Sequence, residues 1–329
     1  MENQLQKHVL QWHITRRCNL HCTHCYQEDN IGELPFSALE SFFHQYIELC
    51  SAMVFRGHIN LTGGEPLLSE HLFELLNLFE KSRITFGVLT NGTRITADTA
   101  YRLGEYSRLS FVQISIDGTR KTHDAIRGGG SFDRACEGFR HLRNAGIQTM
   151  AAFTCHRRNY HELKDVIAIM RRNKIDRFWA DRLVPIGGSK EDILTDEQFG
   201  EMLGVLTKEH NRKKLFSHTD VHLNRAMQFL EGGDCYYRCS AGKTLLTLLA
   251  DGTLLPCRRL PIPIGNCLQR DMLTLYRESP LISQLCEEKI PQECMACPHA
   301  HLCGGGAKCL TYAVTGKLSA KDINCTYRF

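Results

Sequence analysis

Val9-Leu10-Gln11-Trp12-His13-Ile14-Thr15 leads through Arg16-Arg17 into Cys18-Asn19-Leu20-His21-Cys22-Thr23-His24-Cys25. The first of these stretches is a short run of the kind that makes a strand, and the second reads as the loop that leaves it. Five further runs follow: His58–Thr62, Ile84–Thr90, Ser110–Ile116, Ile147–Thr154 and Arg177–Val184. Between them, apolar residues recur at three- and four-residue spacing in Leu39–Leu49, Leu72–Phe79, Phe132–Leu142 and Leu163–Met170, which predicts helices. A later helix is predicted from Asp196 to about His210, with Thr195 as N-cap and Gln198 three residues on. Repeats of this kind predict an α/β fold with a parallel sheet, either an open barrel or a doubly wound sheet.

Composition narrows the partners. The 329 residues are 43% hydrophobic and 23% charged, ordinary for a globular chain. A formal charge of +4 without a concentrated basic stripe gives no case for nucleic acid. The N-terminus has no basic segment followed by an apolar one, so no secretory signal is visible. No run approaches the roughly 18 apolar residues that span a bilayer. The expectation is a cytoplasmic protein with no membrane partner. Its 16 cysteines are then the informative feature, because disulfide frameworks belong to short secreted chains. Clustered cysteines in this setting point to metal.

Cys18, Cys22 and Cys25, at gaps of three and two residues on one loop, can converge on a single metal centre. Three thiolates on a four-iron cube leave one iron open, as catalytic metal sites do elsewhere. A zinc ion with a fourth ligand from His13, His21 or His24 fits the same residues. After the basic stretch Asn211–Lys214 the chain becomes rich in Cys, Gly and Pro and short of periodic helices. A boundary near residue 215 divides it into residues 1–215 and 216–329, with bound metal holding the second part together.

The Cys-x3-Cys-x2-Cys loop after the first strand resembles the radical S-adenosylmethionine (SAM) superfamily. Thr62-Gly63-Gly64-Glu65-Pro66 after the second strand is similar to its GGE motif, and Thr90-Asn91-Gly92 after the third to its TNG segment. Ser115-Ile116-Asp117-Gly118 after the fourth is similar to the position whose serine contacts the ribose. Each turn ends a consecutive strand, the face on which β/α barrels build active sites. His123-Asp124-x-Ile126-Arg127-Gly128, Gly130-Ser131-Phe132-Asp133 and Leu183-Val184-Pro185-Ile186-Gly187 resemble the peptide-modifying members. The resemblance implies a partial (β/α)6 TIM-like barrel and a 4Fe-4S cluster on Cys18, Cys22 and Cys25. It implies reductive cleavage of SAM to methionine and a 5′-deoxyadenosyl radical that abstracts a hydrogen atom from substrate. Gly63, Gly64 and Glu65 would lie near the methionine end, where glycines permit close backbone approach. Ser115 would meet the ribose, Asn159 and Arg182 would stand near SAM, and Tyr26 near adenine or simply in the loop. No catalytic side chain is named by these motifs.

The C-terminal cysteines read Cys235-x3-Cys239, Gly252-x4-Cys257, Cys294-x2-Cys297-x5-Cys303, Cys309 and Cys325. This pattern resembles the SPASM domain, the auxiliary-cluster module of radical SAM maturases. The resemblance implies two auxiliary 4Fe-4S clusters. Cys235, Cys239, Cys257 and Cys309 would hold the first, and Cys294, Cys297, Cys303 and Cys325 the second. The family places the last cysteine of the quartet three residues after the third; here five residues separate Cys303 from Cys309, and Ala307 occupies the family's place. Either a longer turn delivers Cys309 or that cluster keeps an open iron. Two structural zinc sites are the alternative for this half, in a non-catalytic scaffold. The five other cysteines, Cys50, Cys136, Cys155, Cys267 and Cys286, are expected in the core, with Cys155 able to face the barrel mouth.

Enzymes with this module mostly modify peptides or proteins by thioether or carbon–carbon cross-links or side-chain oxidation. The resemblance therefore implies a peptide or protein substrate and a reductant such as flavodoxin or ferredoxin. The first strand begins by about residue 9, which leaves no room for the N-terminal leader-binding module of many maturases. Either a separate recognition protein presents the substrate, or the substrate is a folded protein or a small molecule. The second enzyme reading is a haem-precursor (tetrapyrrole) decarboxylase or side-chain-removing enzyme.

Overall fold

A computed structural model describes residues 5–26, 32–186, 190–212, 218–223, 226–232, 237–287 and 289–328. Six strands alternate with helices as the runs predict: β1 (Lys7–Thr15), α1 (Phe36–Ala52), β2 (Arg56–Gly63), α2 (Leu72–Lys81), β3 (Thr85–Thr90), α3 (Ala97–Gly104) and β4 (Leu109–Ser115) come first. Then follow α4 (Arg120–Arg127), α5 (Ser131–Asn144), β5 (Thr149–Cys155), α6 (Leu163–Arg172), β6 (Arg177–Arg182) and α7 (Asp196–His210). Thr195 and Gln198 form the capping box of α7: each side chain bonds the other's backbone N–H. The eight-residue helices α3 and α4 escape prediction. α4 is mostly polar and buries only His123, Ile126 and Arg127.

The strands of the sheet run β10-β9-β8-β1-β2-β3-β4-β5-β6-β7, where β7 is Asp220–Val221, β8 Leu245–Leu248, β9 Thr253–Leu255 and β10 Gly265–Asn266. β1 through β6 lie side by side in chain order and all parallel. A doubly wound sheet reverses its order at a switch point; this one does not, so its helices share one side and the sheet curls into an open barrel. Leu10, Trp12 and Ile14 of β1 pack outward on that side. The Trp12 ring lies 6.4 Å from Phe42 of α1 and 6.2 Å from Phe79 of α2. The other face is polar: register sets Gln11 beside Asn60 and Thr154 beside Asp181. Trp179 Nε1 donates to Gln113 Oε1 (2.8 Å) across β5, where Ala152 leaves room.

The C-terminal region is built into this wall. β8 pairs in parallel with β1, Val9 to Leu245 through Trp12 to Leu248. Helices α8 (Met272–Glu278) and α9 (Pro280–Cys286) follow, capped by Asp271 and Ser279. Gln45 of α1 grips the start of α8, accepting from the Met272 N–H (3.0 Å) and donating to the Cys267 carbonyl (3.2 Å). The last helices are α10 (Ala300–Cys303) and α11 (Lys308–Thr315). Among the described residues no helix is long and apolar enough to cross a membrane.

Two buried histidines make stability depend on pH. His8 bonds Tyr46 Oη (3.2 Å), and His58 lies between Thr85 Oγ1 (2.8 Å) and Asn60 Oδ1 (3.0 Å). Burial lowers both imidazoles from 6.5 to about 4. The unfolded chain therefore binds more protons than the folded one in this window, so stability is complete above 6.5 and falls as pH drops toward 4. Thermal melts across that range should show a falling midpoint, with a shallower fall in His8→Phe. A flat profile would contradict the burial of neutral imidazoles.

Candidate cluster and cofactor site

The cysteine loop leaves β1 and is clamped from two sides. Gly64 N donates to Thr15 O (2.9 Å) and Glu65 N to Arg17 O (2.7 Å), so the turn after β2 holds the loop's entrance. Thr23 N donates to Ile126 O (3.0 Å), so the end of α4 holds its middle. Two of the sulfurs receive polar hydrogens: Cys18 Sγ from Asn91 Nδ2 (3.9 Å) and Leu20 N (3.5 Å), Cys22 Sγ from Arg127 Nη1 (3.8 Å). Burial, against the pull of Arg127 and helped by Cys25, Asp117 and Cys18, pushes the Cys22 thiol up to about 11. Three thiols on one loop, with N–H donors aimed at two of them, suit a cationic iron–sulfur centre, which displaces their protons on binding. Among the described residues no three His, Cys, Asp or Glu side chains are gathered to hold a single metal ion. A cube takes its thiolates at separate corners and needs no such convergence on one atom.

Glu65 serves this loop indirectly. Its side chain has no exposed surface and accepts from Thr90 Oγ1 (2.7 Å), Asn91 N (2.8 Å) and Leu67 N (3.2 Å). Burial raises its carboxyl, and these donors oppose the rise. Its carboxylate fastens the turn after β2 to the turn after β3. The two glycines pack against the cysteine loop. A Cβ on Gly64 would stand 2.2 Å from Arg17 O, and one on Gly63 (φ +144°) 2.3 Å from Thr15 O. What they admit so closely is the cysteine loop. Gly64→Ala should cost about 1–3 kcal/mol from overpacking and strip the N-terminal cluster, checked by thermal melt and iron content. Unchanged iron would show that the loop can retreat.

The remaining predicted SAM contacts separate. Ser115 ends β4 half-buried, its hydroxyl without a partner among the described residues and free for a ligand. Asn159 is wholly buried: it donates to Asp117 O (2.9 Å) and Thr154 O (3.0 Å) and accepts from His156 N (2.8 Å). It ties the ends of β4 and β5 together, and its polar atoms are all engaged within the protein. Arg182 donates to both Asp322 oxygens (2.8 Å each) and to Asn324 Oδ1 (2.8 Å). A carboxylate 140 residues away in sequence captures it. Tyr26 is covered by Arg258, whose guanidinium lies 4.4 Å from the ring and donates to Tyr26 O (2.6 Å).

Sequence reasoning missed Asn91, Asp117 and Arg127 as working residues, although it quoted the motifs containing them. Asp117 is fully buried, accepting from Arg127 Nε (2.6 Å) and Thr154 N (2.8 Å), with His24 Nε2 at 3.4 Å. Burial opposes its ionisation, but Arg127 and then His24 outweigh that and hold the carboxyl at about 2.

The C-terminal thiols gather in two groups. Cys294, Cys297, Cys303 and Cys325 line one cavity with Met227, Phe229 and Asp322. Cys309 lies with Cys239 and Cys257 at a small second core. Burial carries its thiol to about 12, opposed by Arg259 and reinforced by Cys257 and Cys239. The longer turn is made by Gly304, Gly305 and Gly306, all at positive φ (61°, 86° and 86°), a run that residues with a Cβ would resist. Ala307 is anchored to Asp322 Oδ2 (2.7 Å), and the chain reaches Cys309 in the first turn of α11. Cys235 lies outside the described residues. Of the unassigned cysteines, Cys50, Cys155 and Cys267 are buried, Cys136 is half-buried and Cys286 is exposed rather than in the core. Cys155 shares its strand face with Ala151 and Phe153, so it packs toward the helices and not into the mouth.

Residues 12–170 match the family model of the Radical SAM superfamily. Residues 12–170 form a radical SAM domain. The AdoMet-dependent heme synthase of Nitratidesulfovibrio vulgaris is 25% identical, with 97% of this chain and 92% of that protein aligned. The mycofactocin maturase MftC of Mycolicibacterium smegmatis is 28% identical, over 96% and 82%. The crystal structure of Streptococcus suis SuiB bound to S-adenosylmethionine superposes with a TM-score of 0.79 at 17% identity, covering 98% of this chain and 78% of that one. The architecture is thus the partial barrel of radical SAM enzymes. Through this domain the enzyme uses a 4Fe-4S cluster and SAM, and the cysteine loop has the donors for the cluster.

Proposed function

We propose that this radical SAM enzyme modifies a peptide or protein, with Cys18, Cys22 and Cys25 holding the catalytic cluster. Residues 1–215 are the core, and residues 216–329 are a SPASM domain with two auxiliary clusters. Cys235, Cys239, Cys257 and Cys309 hold one, and Cys294, Cys297, Cys303 and Cys325 the other. When bound, the cluster and SAM supply a 5′-deoxyadenosyl radical that abstracts a hydrogen atom from substrate. Gly63 and Gly64 keep the cysteine loop pressed on β2, and Ser115 offers its hydroxyl to the ribose. Asn60, Gln113 and Thr154 line the polar inner face with hydrogen-bonding groups suited to a peptide.

The observation that carries this reading is the placement of Cys309 beside Cys239 and Cys257. With Cys235 as the fourth ligand, a thiolate there leaves no iron of that cluster open for substrate, which favours auxiliary clusters that accept the electron remaining after hydrogen abstraction. The similarity to MftC, a mycofactocin maturase, supports the peptide class. Near-full-length similarity to heme synthases favours a second reading, a haem precursor as substrate. A flavodoxin or ferredoxin as reductant, a separate peptide-recognition protein and a cytoplasmic site of action complete the proposal.

Anaerobically reconstituted enzyme with dithionite and SAM should release 5′-deoxyadenosine. Colourless protein with stoichiometric zinc would refute the enzyme. Short peptides encoded beside the gene and a haem precursor are then compared by mass spectrometry. A mass change in a peptide supports the first reading, and one in the tetrapyrrole alone supports the second. Cys297→Ala should still cleave SAM but form no product; full product formation would remove the auxiliary clusters from the mechanism.

A further inference from the structure

Arg127 is the last residue of α4 and only 9% exposed. Its guanidinium is fixed at two points, with Nε on Asp117 Oδ2 (2.6 Å) and Nη1 on Cys22 Sγ (3.8 Å). Asp117 cannot follow it outward, because Thr154 N holds its other oxygen (2.8 Å) and its own N–H is held by His123 Nδ1 (3.2 Å). The neighbouring Ile126 carbonyl accepts from Thr23 in the cysteine loop (3.0 Å). Side chain and backbone of α4 thus meet the loop at Cys22 and at the residue that follows it. Arginine stays charged at any working pH, so this is a permanent cation at a ligand sulfur. Reduction adds one negative charge to a cluster, and both a nearby cation and an N–H···S bond stabilise the reduced form.

We infer that Arg127 is a positioning residue for the N-terminal cluster: it fixes Cys22 and, by its charge, raises the cluster's reduction potential into the range of the physiological reductant. The inference rests on the assignment of Cys18, Cys22 and Cys25 as ligands. Removing Arg127 also uncovers the Asp117 carboxylate, so both changes act in the same direction.

The test uses the full-length, fully reconstituted enzyme, with a redox titration followed by electron paramagnetic resonance. The signal that changes on adding SAM identifies the N-terminal cluster among the auxiliary ones. Arg127→Gln should keep that cluster but move its midpoint to more negative potential, and slow SAM cleavage by about 10- to 100-fold. Arg127→Lys keeps the charge without the fork and should recover most of the midpoint. An unmoved midpoint in Arg127→Gln, or one displaced equally in both variants, would overturn the inference. So would variants that melt as wild type yet hold no N-terminal cluster, since Arg127 would then serve assembly alone. A wild-type enzyme without any SAM-responsive signal would instead refute the ligand assignment.

Discussion

Cys22→Ala should contain iron in its C-terminal region yet release no measurable 5′-deoxyadenosine. Cys22 is the ligand that α4 holds. Its sulfur receives the Arg127 guanidinium, and the residue after it is bonded to α4. Cys25 is exposed, and Cys18 is already directed by Asn91 and Leu20, so neither can take over a second corner of a cube. Two thiolates leave half the irons unheld. Chromatographic assay of 5′-deoxyadenosine, normalised to iron and sulfide, makes the comparison. Cleavage near the wild-type rate in Cys22→Ala would move the catalytic cluster elsewhere in the chain.

Arg182→Ala is the second large effect, and it acts on stability. Arg182 and Asp322 are buried at 4% and 3% exposure and share two hydrogen bonds. Deleting one member of a buried pair leaves an uncompensated charge, at a cost of about 3–5 kcal/mol. The site amplifies this cost. Asp322 also anchors Ala307 and accepts from Asn324 N, so its displacement loosens the turn that carries Cys303 and Cys309. Denaturant melts of apo-protein isolate the effect from cluster loss. The double variant Arg182→Met/Asp322→Leu should recover part of the stability, because no charge is then stranded. A loss below 1 kcal/mol in the single variant would mean that water reaches Asp322.

The strands were legible because each is a short run ended by a turn, and the capping box of α7 was legible because both members lie within four residues. The cysteines of the first loop were equally open to reading, since spacing alone brings them near one another. Arg127 was not. Its helix is too polar to show a 3.6-residue stripe, and its partners Asp117 and Cys22 meet only after the barrel has curled. Arg182 and Glu65 sat in motifs that suggested ligand contacts. Their buried surroundings bring protein donors and acceptors to them from distant segments, and a local motif does not encode those segments. β8, β9 and β10 are two to four residues long, and their pairing with the barrel is decided by neighbours rather than by any pattern of their own.

The pairing of β8 with β1 bears on how such enzymes can diversify. The strand that delivers the cysteine loop has β2 on one side and a strand from the C-terminal region on the other. A chain cut near residue 215 would bare the Val9–Trp12 edge, an apolar ribbon of unpaired backbone groups open to pairing with other chains. The two halves are therefore poor cassettes for exchange between enzymes. A graft that replaces the C-terminal cysteines must also supply a strand whose side chains fit Leu10 and Trp12, so those cysteines and the edge of the barrel sheet are inherited together.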